Sequence, residues 1–454
     1  MRLAEKPQRL LQVPGAVAIV VGIVVGAGIF KTPAMVAGIT QDHGWLIVVW
    51  LAGALISLAG ALCYAELCAA HPHAGGDYHF LSRAYGKRLA FLYAWSKATV
   101  INTGSIALLA YVFGDHMTRV VDFGPHSSAL WAVAIVIVLT FVNIRGLTIA
   151  ARLQTVMVLL LVGGLIAVIA SGFSAPAADV QPRWFMGMPP VGMLGLAMVF
   201  VLLTFGGWNE AAYLSAEVVG GPRVIAQVLI VSLGVITALY LLVNLALLQG
   251  LGIDGLAASK AAGATVLGLH FGAWGERLLA VLVALAALTS IHSTMIVGAR
   301  TTYALGRDWA LLRHLGRWRV ASAAPVNGYV VQAAISVALV IFGAFQVDGF
   351  EAMVEFTAPV FWAFLFMVGL AVFRLRRHHP TIPRPFRVPL YPLTPLVFCA
   401  ACAWLTWSSI TYAASKAAVH VSLLVMLAGL VVLSGMLLHG RLKSTRKRAR
   451  QSTR

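Results

Sequence analysis

The sequence predicts an all-α integral membrane protein of about twelve transmembrane helices: two inverted five-helix repeats followed by two further helices. Three observations lead there. Of the 454 residues, 60% are hydrophobic and 11% charged, and the mean hydropathy is +0.89; an ordinary soluble domain carries about 25% charged residues. Apolar stretches of about 20 residues, the length that crosses a bilayer, recur with no long polar domain between them. The first and sixth of these stretches are interrupted by glycine near the middle.

The stretches fall at about 15–38, 45–70, 90–114, 128–146, 150–172, 190–218, 224–250, 275–304, 326–346, 351–374, 391–413 and 417–438. Span 1 contains Val24-Val25-Gly26-Ala27-Gly28-Ile29-Phe30, and span 6 contains Thr204-Phe205-Gly206-Gly207-Trp208-Asn209-Glu210. Each is apolar, then broken, then amphipathic, and each begins a half of five helices. An odd number of helices per half turns the second half over relative to the first. The expected organisation is a polar N-terminus (1–14) and a single transmembrane domain (15–438). That domain holds a first repeat (about 15–172), a second repeat (about 190–374) and extra helices (about 391–438), and a basic tail follows (439–454).

The net charge of +18 would suggest a nucleic-acid partner in a soluble protein. Here its distribution points to membrane topology. Basic residues gather in alternate connections: Arg83, Lys87 and Arg88; Arg145 and Arg152; Arg223; Arg300 to Arg319; Arg374 to Arg387; and both termini. The other connections hold only Arg119, Arg183, Lys260, Arg277 and Lys416. The positive-inside rule then places both termini in the cytoplasm of a cell (inner or plasma) membrane protein. The tail reads as a juxtamembrane signal near anionic lipid. The apolar run after residue 10 has no small-residue cleavage site and is expected to be a first span. Cys63, Cys68, Cys399 and Cys402 all lie in apolar segments, so buried free thiols are expected, with no disulfide and no metal.

Glycine within a membrane helix exposes backbone, which is tolerated where that backbone lines a protected cavity. Paired broken helices in two halves point to a transporter binding site. A break at Gly26 and Gly28 leaves amides at the start of the next half-helix, which suit a carboxylate. A break at Gly206-Gly207 adds carbonyls, which suit an ammonium. An α-amino acid carries both groups. The candidate substrate-binding residues are Gly26, Ala27, Gly28, Ile29, Phe205, Gly206, Gly207, Trp208 and Asn209. The competing reading of the glycines is close helix packing.

Other polar groups in the spans are Lys31, expected in the outer vestibule, and Lys97, expected to snorkel to the cytoplasmic surface. Glu210 is a candidate for charge recognition, or faces the aqueous vestibule. His292 reads as a proton relay or as a hydrogen-bonded core histidine. Thr289, Ser290, Ser293 and Thr294 are candidate ion-coupling hydroxyls, the alternative being bonds to their own helix. Enzyme motifs H-E-x-x-H and G-x-S-x-G are absent, as is the nucleotide-binding G-x-x-x-x-G-K-[ST]. No catalytic residue, enzyme activity or cofactor is therefore expected.

Short motifs in the same order from about residue 15 to 400 carry a resemblance. They are Gly26-Ala27-Gly28-Ile29-Phe30; Tyr64-Ala65-Glu66-Leu67 with Pro72 and Gly75-Gly76-Asp77-Tyr78; and Gly207-Trp208-Asn209 with Glu217 and Pro222-Arg223. Ala299-Arg300, Tyr303-Ala304, Arg307-Asp308 and Pro383-Arg384-Pro385-Phe386-Arg387-Val388-Pro389 complete the set. The chain resembles the amino acid–polyamine–organocation superfamily, in particular bacterial L-amino-acid transporter-like permeases. The resemblance implies a LeuT-like 5+5 inverted repeat and amino acid transport. It also implies an aromatic at Trp208 over the substrate at the outer gate, and helix 8 hydroxyls joined with helix 1 carbonyls around sodium. One departure concerns coupling. Many members have a lysine in helix 5 where this chain has about Leu161, so the coupling ion is left between H+ and Na+, with ion-independent exchange a further alternative. Some relatives use a cysteine between helices 3 and 4 for a disulfide-linked heavy chain; the segment 115–128 has none, and no such partner is expected. The apolar or neutral candidate pocket favours neutral L-amino acids. A cationic amino acid or polyamine transporter, and a non-transporting sensor, are the alternatives.

Overall fold

Inside hydrocarbon a backbone must satisfy its own polar groups, and helices do so locally. The computed structural model describes residues 9–118, 121–176, 183–259, 261–344, 349–415 and 426–438. Among these, ten helices are long and apolar enough to cross a membrane, and one bent pair forms an eleventh span. The basic tail 439–454 and the first eight residues lie outside the described residues.

Span 1 is the bent pair: α1 (Val13–Val24) and α2 (Gly28–Thr40) meet at 46°. Span 2 is α3 (His43–Ala70), capped by Asp42, whose carboxylate accepts from the Trp45 amide. Burial raises the Asp42 carboxyl, but amides of Trp45, Met186, Phe185 and Gly44 outweigh it and hold it below the usual value. Next comes α4 (Gly76–Tyr85), a helix where the sequence suggested only a loop. Span 3 is α5 (Lys87–Ser96), a π turn (Lys97–Ile101) and α6 (Asn102–Thr118). Spans 4 and 5 are α7 (Ser127–Arg145) and α8 (Leu147–Ser174).

Span 6 is α9 (Val191–Thr204) continued, after the glycine pair, by a 3-10 segment (Trp208–Leu214). Span 7, α10 (Pro222–Ala258), bends at Gly252, whose φ is +66°, and runs into what was expected to be an open loop. A short helix, α11 (Ala262–Phe271), fills the rest of that connection. Spans 8 to 11 are α12 (Trp274–Asp308), α13 (Val326–Gly343), α14 (Gly349–His378) and α15 (Leu393–Ser415). Apolar Met426–Leu438, here α16, is the described part of the twelfth expected span.

Burial separates the core from the lipid-facing rim. On α8, Leu161, Leu165 and Gln154 are buried, while Val156, Leu159 and Leu160 are exposed, as expected of a helix with one face in lipid. Helix α12 is the most enclosed span. It packs on α1, α6, α8 and α13, and α10 packs on α1, α2, α3 and α8. The broken span 1 is therefore held between α10 and α12.

Candidate functional site

The cradle is built where the two broken spans meet. Helix α1 ends at Val24, and α2 restarts at Gly28 with no side-chain cap. The first amides of a helix have no acceptor of their own, so this restart presents donors. Helix α9 ends at Thr204, and Gly207 turns the chain with φ +108°, in the left-handed region that glycine adopts without strain. The spans touch at two points. A Cβ at Gly28 would lie 3.1 Å from the Thr204 hydroxyl oxygen, and one at Gly207 would lie 2.5 Å from Ile23 Cγ2. Thr32 and Thr204 share a hydroxyl hydrogen bond of 2.7 Å. Close approach and open backbone thus coincide: the glycines pack and the breaks also expose main-chain groups.

Tyr240 on α10 joins the breaks, and sequence reasoning passed over it. Its hydroxyl lies 2.9 Å from the Val24 carbonyl and 3.1 Å from the Thr204 carbonyl, the last residues of α1 and α9. Its ring is edge-on to Trp50 and Phe205. Phe205 is buried in this aromatic group and forms a wall. A lone tyrosine in a seventh span was the available signal, since a buried hydroxyl needs partners.

The structure brings the two breaks together through Gly28 against Thr204 and Gly207 against Ile23. The Trp208 indole fills a notch at Gly60, edge-on to Tyr64 at 5.3 Å and near Phe398 at 5.9 Å. It packs in the seam between α3 and α15, next to the glycine pair of span 6. Gly60 leaves the space that makes this packing possible. Together with Ser57, Gly206, Gly207, Asn209 and Trp362, Trp208 lines a cavity on that side.

Lys97 is not at a surface: its side chain is 2% exposed, and its ammonium bonds both oxygens of Glu210 at 2.8 Å. It also sits 4.1 Å from the centre of the Tyr213 ring. The snorkelling expectation fails because the π turn and the facing 3-10 segment supply a counter-charge inside the protein. Glu210, expected to read a substrate cation or face water, is occupied by Lys97; Asn209 is buried and leans on it at 3.4 Å. Lys31 is exposed on α2.

On α12, Ser290 donates to the Gly22 carbonyl of α1 at 3.0 Å and lies against Gly26. Thr289 bonds back to the Ala286 carbonyl of its own helix. Ser293 is buried without a hydrogen-bond partner among the described residues, and Thr294 is half-buried. His292 Nδ1 shares a 2.7 Å hydrogen bond with Gln154 Oε1, the core-histidine arrangement. Leu161 is fully buried on α8.

The motifs that carry the resemblance converge in ion pairs. Glu217 pairs with Arg300 inside the protein, Nη2 to Oε2 at 2.8 Å. Glu66 accepts from Arg376 and from the Val388 amide. Tyr78 donates to Asp308, which also pairs with Lys87. Leu11 bonds the backbone of Glu217 and Val219, fastening the start of the described chain to the exit of span 6. These pairs lock the ends of spans 2, 3, 6, 8 and 10. The four cysteines are free thiols, all buried.

Known proteins are similar to this chain in sequence. The chain is 25% identical over 394 residues to the b(0,+)-type amino acid transporter 1 of Mus musculus, covering 83% of this chain and 77% of the relative. It is 25% identical over 405 residues to the large neutral amino acids transporter small subunit 2 of Mus musculus, covering 85% and 74%. It is 26% identical over 409 residues to the Asc-type amino acid transporter 1 of Mus musculus, covering 85% and 74%. The amino acid permease profile matches residues 11–433, nearly the whole chain. With the broken spans apposed and this match over nearly the whole chain, the chain belongs to the amino acid permease family.

Proposed function

We propose that the protein is a secondary transporter that moves neutral L-amino acids across the cytoplasmic membrane by alternating access, with both termini in the cytoplasm. The observation that carries this reading is the meeting of two broken spans at Gly28–Thr204 and Gly207–Ile23. The α2 restart offers amides to a carboxylate, and the unwound backbone at the Gly206-Gly207 break is proposed to offer carbonyls to an ammonium. Gly26, Ala27, Gly28, Ile29, Phe205, Gly206, Gly207 and Asn209 form the cradle in this proposal. The repeats 15–172 and 190–374 supply the two parts that rock about it.

Two points favour a neutral side chain. The cradle has no free charge, since Glu210 is taken by Lys97, and a neutral pocket does not offset the desolvation of a charged substrate group. The name of one relative specifies large neutral amino acids. A cationic or polyamine substrate would have to displace Lys97 from Glu210. With no helix 5 lysine near Leu161, the cation position is empty, hydrated or filled by an ion; exchange or proton linkage is the reading proposed here, with sodium at the helix 8 hydroxyls the alternative. No disulfide-linked heavy chain is proposed, because 115–128 lacks cysteine.

Competition against a radiolabelled neutral amino acid in proteoliposomes tests the substrate class. Leucine, alanine and similar residues are expected to compete, with lysine, arginine and putrescine ineffective. Strong inhibition by the cations, lost in Glu210→Gln, would overturn the neutral assignment.

A further inference from the structure

A second polar cluster lies outside the cradle. It comprises Asp77 on α4, Tyr93 on α5, Lys97 in the π turn, and Glu210 and Tyr213 on the 3-10 segment. Asp77, Tyr93, Lys97 and Glu210 line a cavity closed by Phe361, Phe364 and Leu365 of α14. Asp77 is 2% exposed. Its Oδ2 accepts from the Tyr93 hydroxyl at 2.8 Å, and Tyr93 and Tyr213 share a 2.6 Å hydrogen bond. Its Oδ1 is buried and meets no partner at full hydrogen-bond geometry among the described residues, although the Tyr64 hydroxyl lies near enough to favour the carboxylate.

The charges do not balance. Two carboxylates face one ammonium, and that ammonium is bonded at both Glu210 oxygens. Among the described residues, the packed elements supply no second cation to Asp77. Tyr64 and Cys68 approach from α3, and Tyr93 from α5. On α12, Arg300 is tied to Glu217; on α14, Arg376 is tied to Glu66. On α4 itself, Arg83 lies on the last turn and His79 stacks on His73; burial holds His79 neutral, its pKa depressed to about 3. A buried uncompensated charge is costly, and a proton on the free Oδ1 removes it. Burial pushes the Asp77 carboxyl up to about 6; the Lys97 ammonium pulls it down, Glu210 adds to the rise, and the Tyr93 and Tyr64 hydroxyls pull it down further. Helix α4 packs on α5, α14, α12 and the 3-10 segment, so the charge state of Asp77 bears on contacts between parts of both proposed repeats.

We propose that Asp77, Lys97 and Glu210 form a one-proton site, with Asp77 as the proton carrier, that links amino acid movement to the proton gradient. The site deepens the transport reading and rests on it. A proton from water binds Asp77 Oδ1, the protonated, amino-acid-loaded form changes conformation, the proton leaves to water on the other side with the amino acid, and the empty carrier returns unprotonated; no covalent bond other than O–H changes. In the expected topology the cluster sits toward the cytoplasmic ends of spans 3 and 6.

The test uses purified full-length protein in liposomes holding a pH-sensitive dye, with radiolabelled leucine as the probe. Counterflow at equal pH reports transport, and dye signal and accumulation under an inside-alkaline gradient report coupling. Native protein is expected to carry protons with leucine. One proton per substrate supports about tenfold accumulation across one pH unit. Because the raised pKa leaves Asp77 half protonated near pH 6 and increasingly protonated below it, coupled uptake should rise on acidification with a midpoint there. Asp77→Asn is expected to keep counterflow and lose both gradient-driven accumulation and proton movement; accumulation like native would overturn the site. Should Asp77→Asn also lose counterflow, Asp77→Glu decides: a shifted pH midpoint supports the carrier, and an unmoved midpoint overturns it. Native counterflow without proton movement overturns the proton site and leaves transport standing. No counterflow at all overturns both.

Discussion

The Lys97 ammonium bonds both carboxylate oxygens of Glu210 at 2.8 Å, closing a contact between residues 113 apart in the chain. It makes a buried pair of two lone membrane charges and sets the helix 6 continuation against the π turn of span 3. Removing one member of a buried pair strands the other, typically at about 3–5 kcal/mol.

Glu210→Gln should therefore lower thermal stability in detergent by roughly that amount, about 3–5 kcal/mol, and Lys97→Met should do likewise. The double variant should recover much of the loss, because no charge is then stranded. Thermal unfolding of the three variants checks this. Equal stability of Glu210→Gln and native protein would contradict a structural pair.

Glycine at the two contact points should be irreplaceable for steric reasons. Gly207→Ala combines φ +108° with a Cβ 2.5 Å from Ile23 Cγ2, and such strain costs about 1–3 kcal/mol. Gly28→Val presses on Thr204 and should abolish substrate-induced thermal stabilisation while the protein remains folded. A well-folded Gly28→Val that transports normally would place the cradle elsewhere.

Tyr240→Phe keeps the ring and removes the hydroxyl near the Val24 and Thr204 carbonyls. An unsatisfied buried group costs about 1–3 kcal/mol. Lower stability with weakened substrate binding is expected, read by thermal shift with and without leucine. A variant unchanged in both would remove Tyr240 from the site.

Trp208→Ala should act on stability, leaving selectivity among neutral amino acids largely as in native protein. Truncating a packed tryptophan costs about 3–5 kcal/mol. Competition profiles measured beside melting curves separate the two. A changed selectivity with normal stability would instead support a gate role for Trp208.

The spans and both breaks were legible in the sequence because they are local: an apolar run of bilayer length, and glycine where lipid penalises exposed backbone. The contents of the cradle were less legible. Which way Trp208 turns depends on the notch left by Gly60, a residue 148 positions earlier that looks like any small residue in a membrane helix. Tyr240 matters through carbonyls of two other spans. The Lys97–Glu210 pair did have a signal: opposite charges in separate spans need partners, and each was a natural partner for the other. The helix α4 was read as a loop because its 10 residues are polar and too short to span.

Counterflow into proteoliposomes tests amino acid transport most directly. Vesicles containing purified protein and preloaded with unlabelled leucine should accumulate radiolabelled leucine transiently, well above protein-free vesicles and above vesicles preloaded with lysine. Saturable leucine binding to the same protein with no counterflow would contradict transport and identify a sensor built on the permease fold.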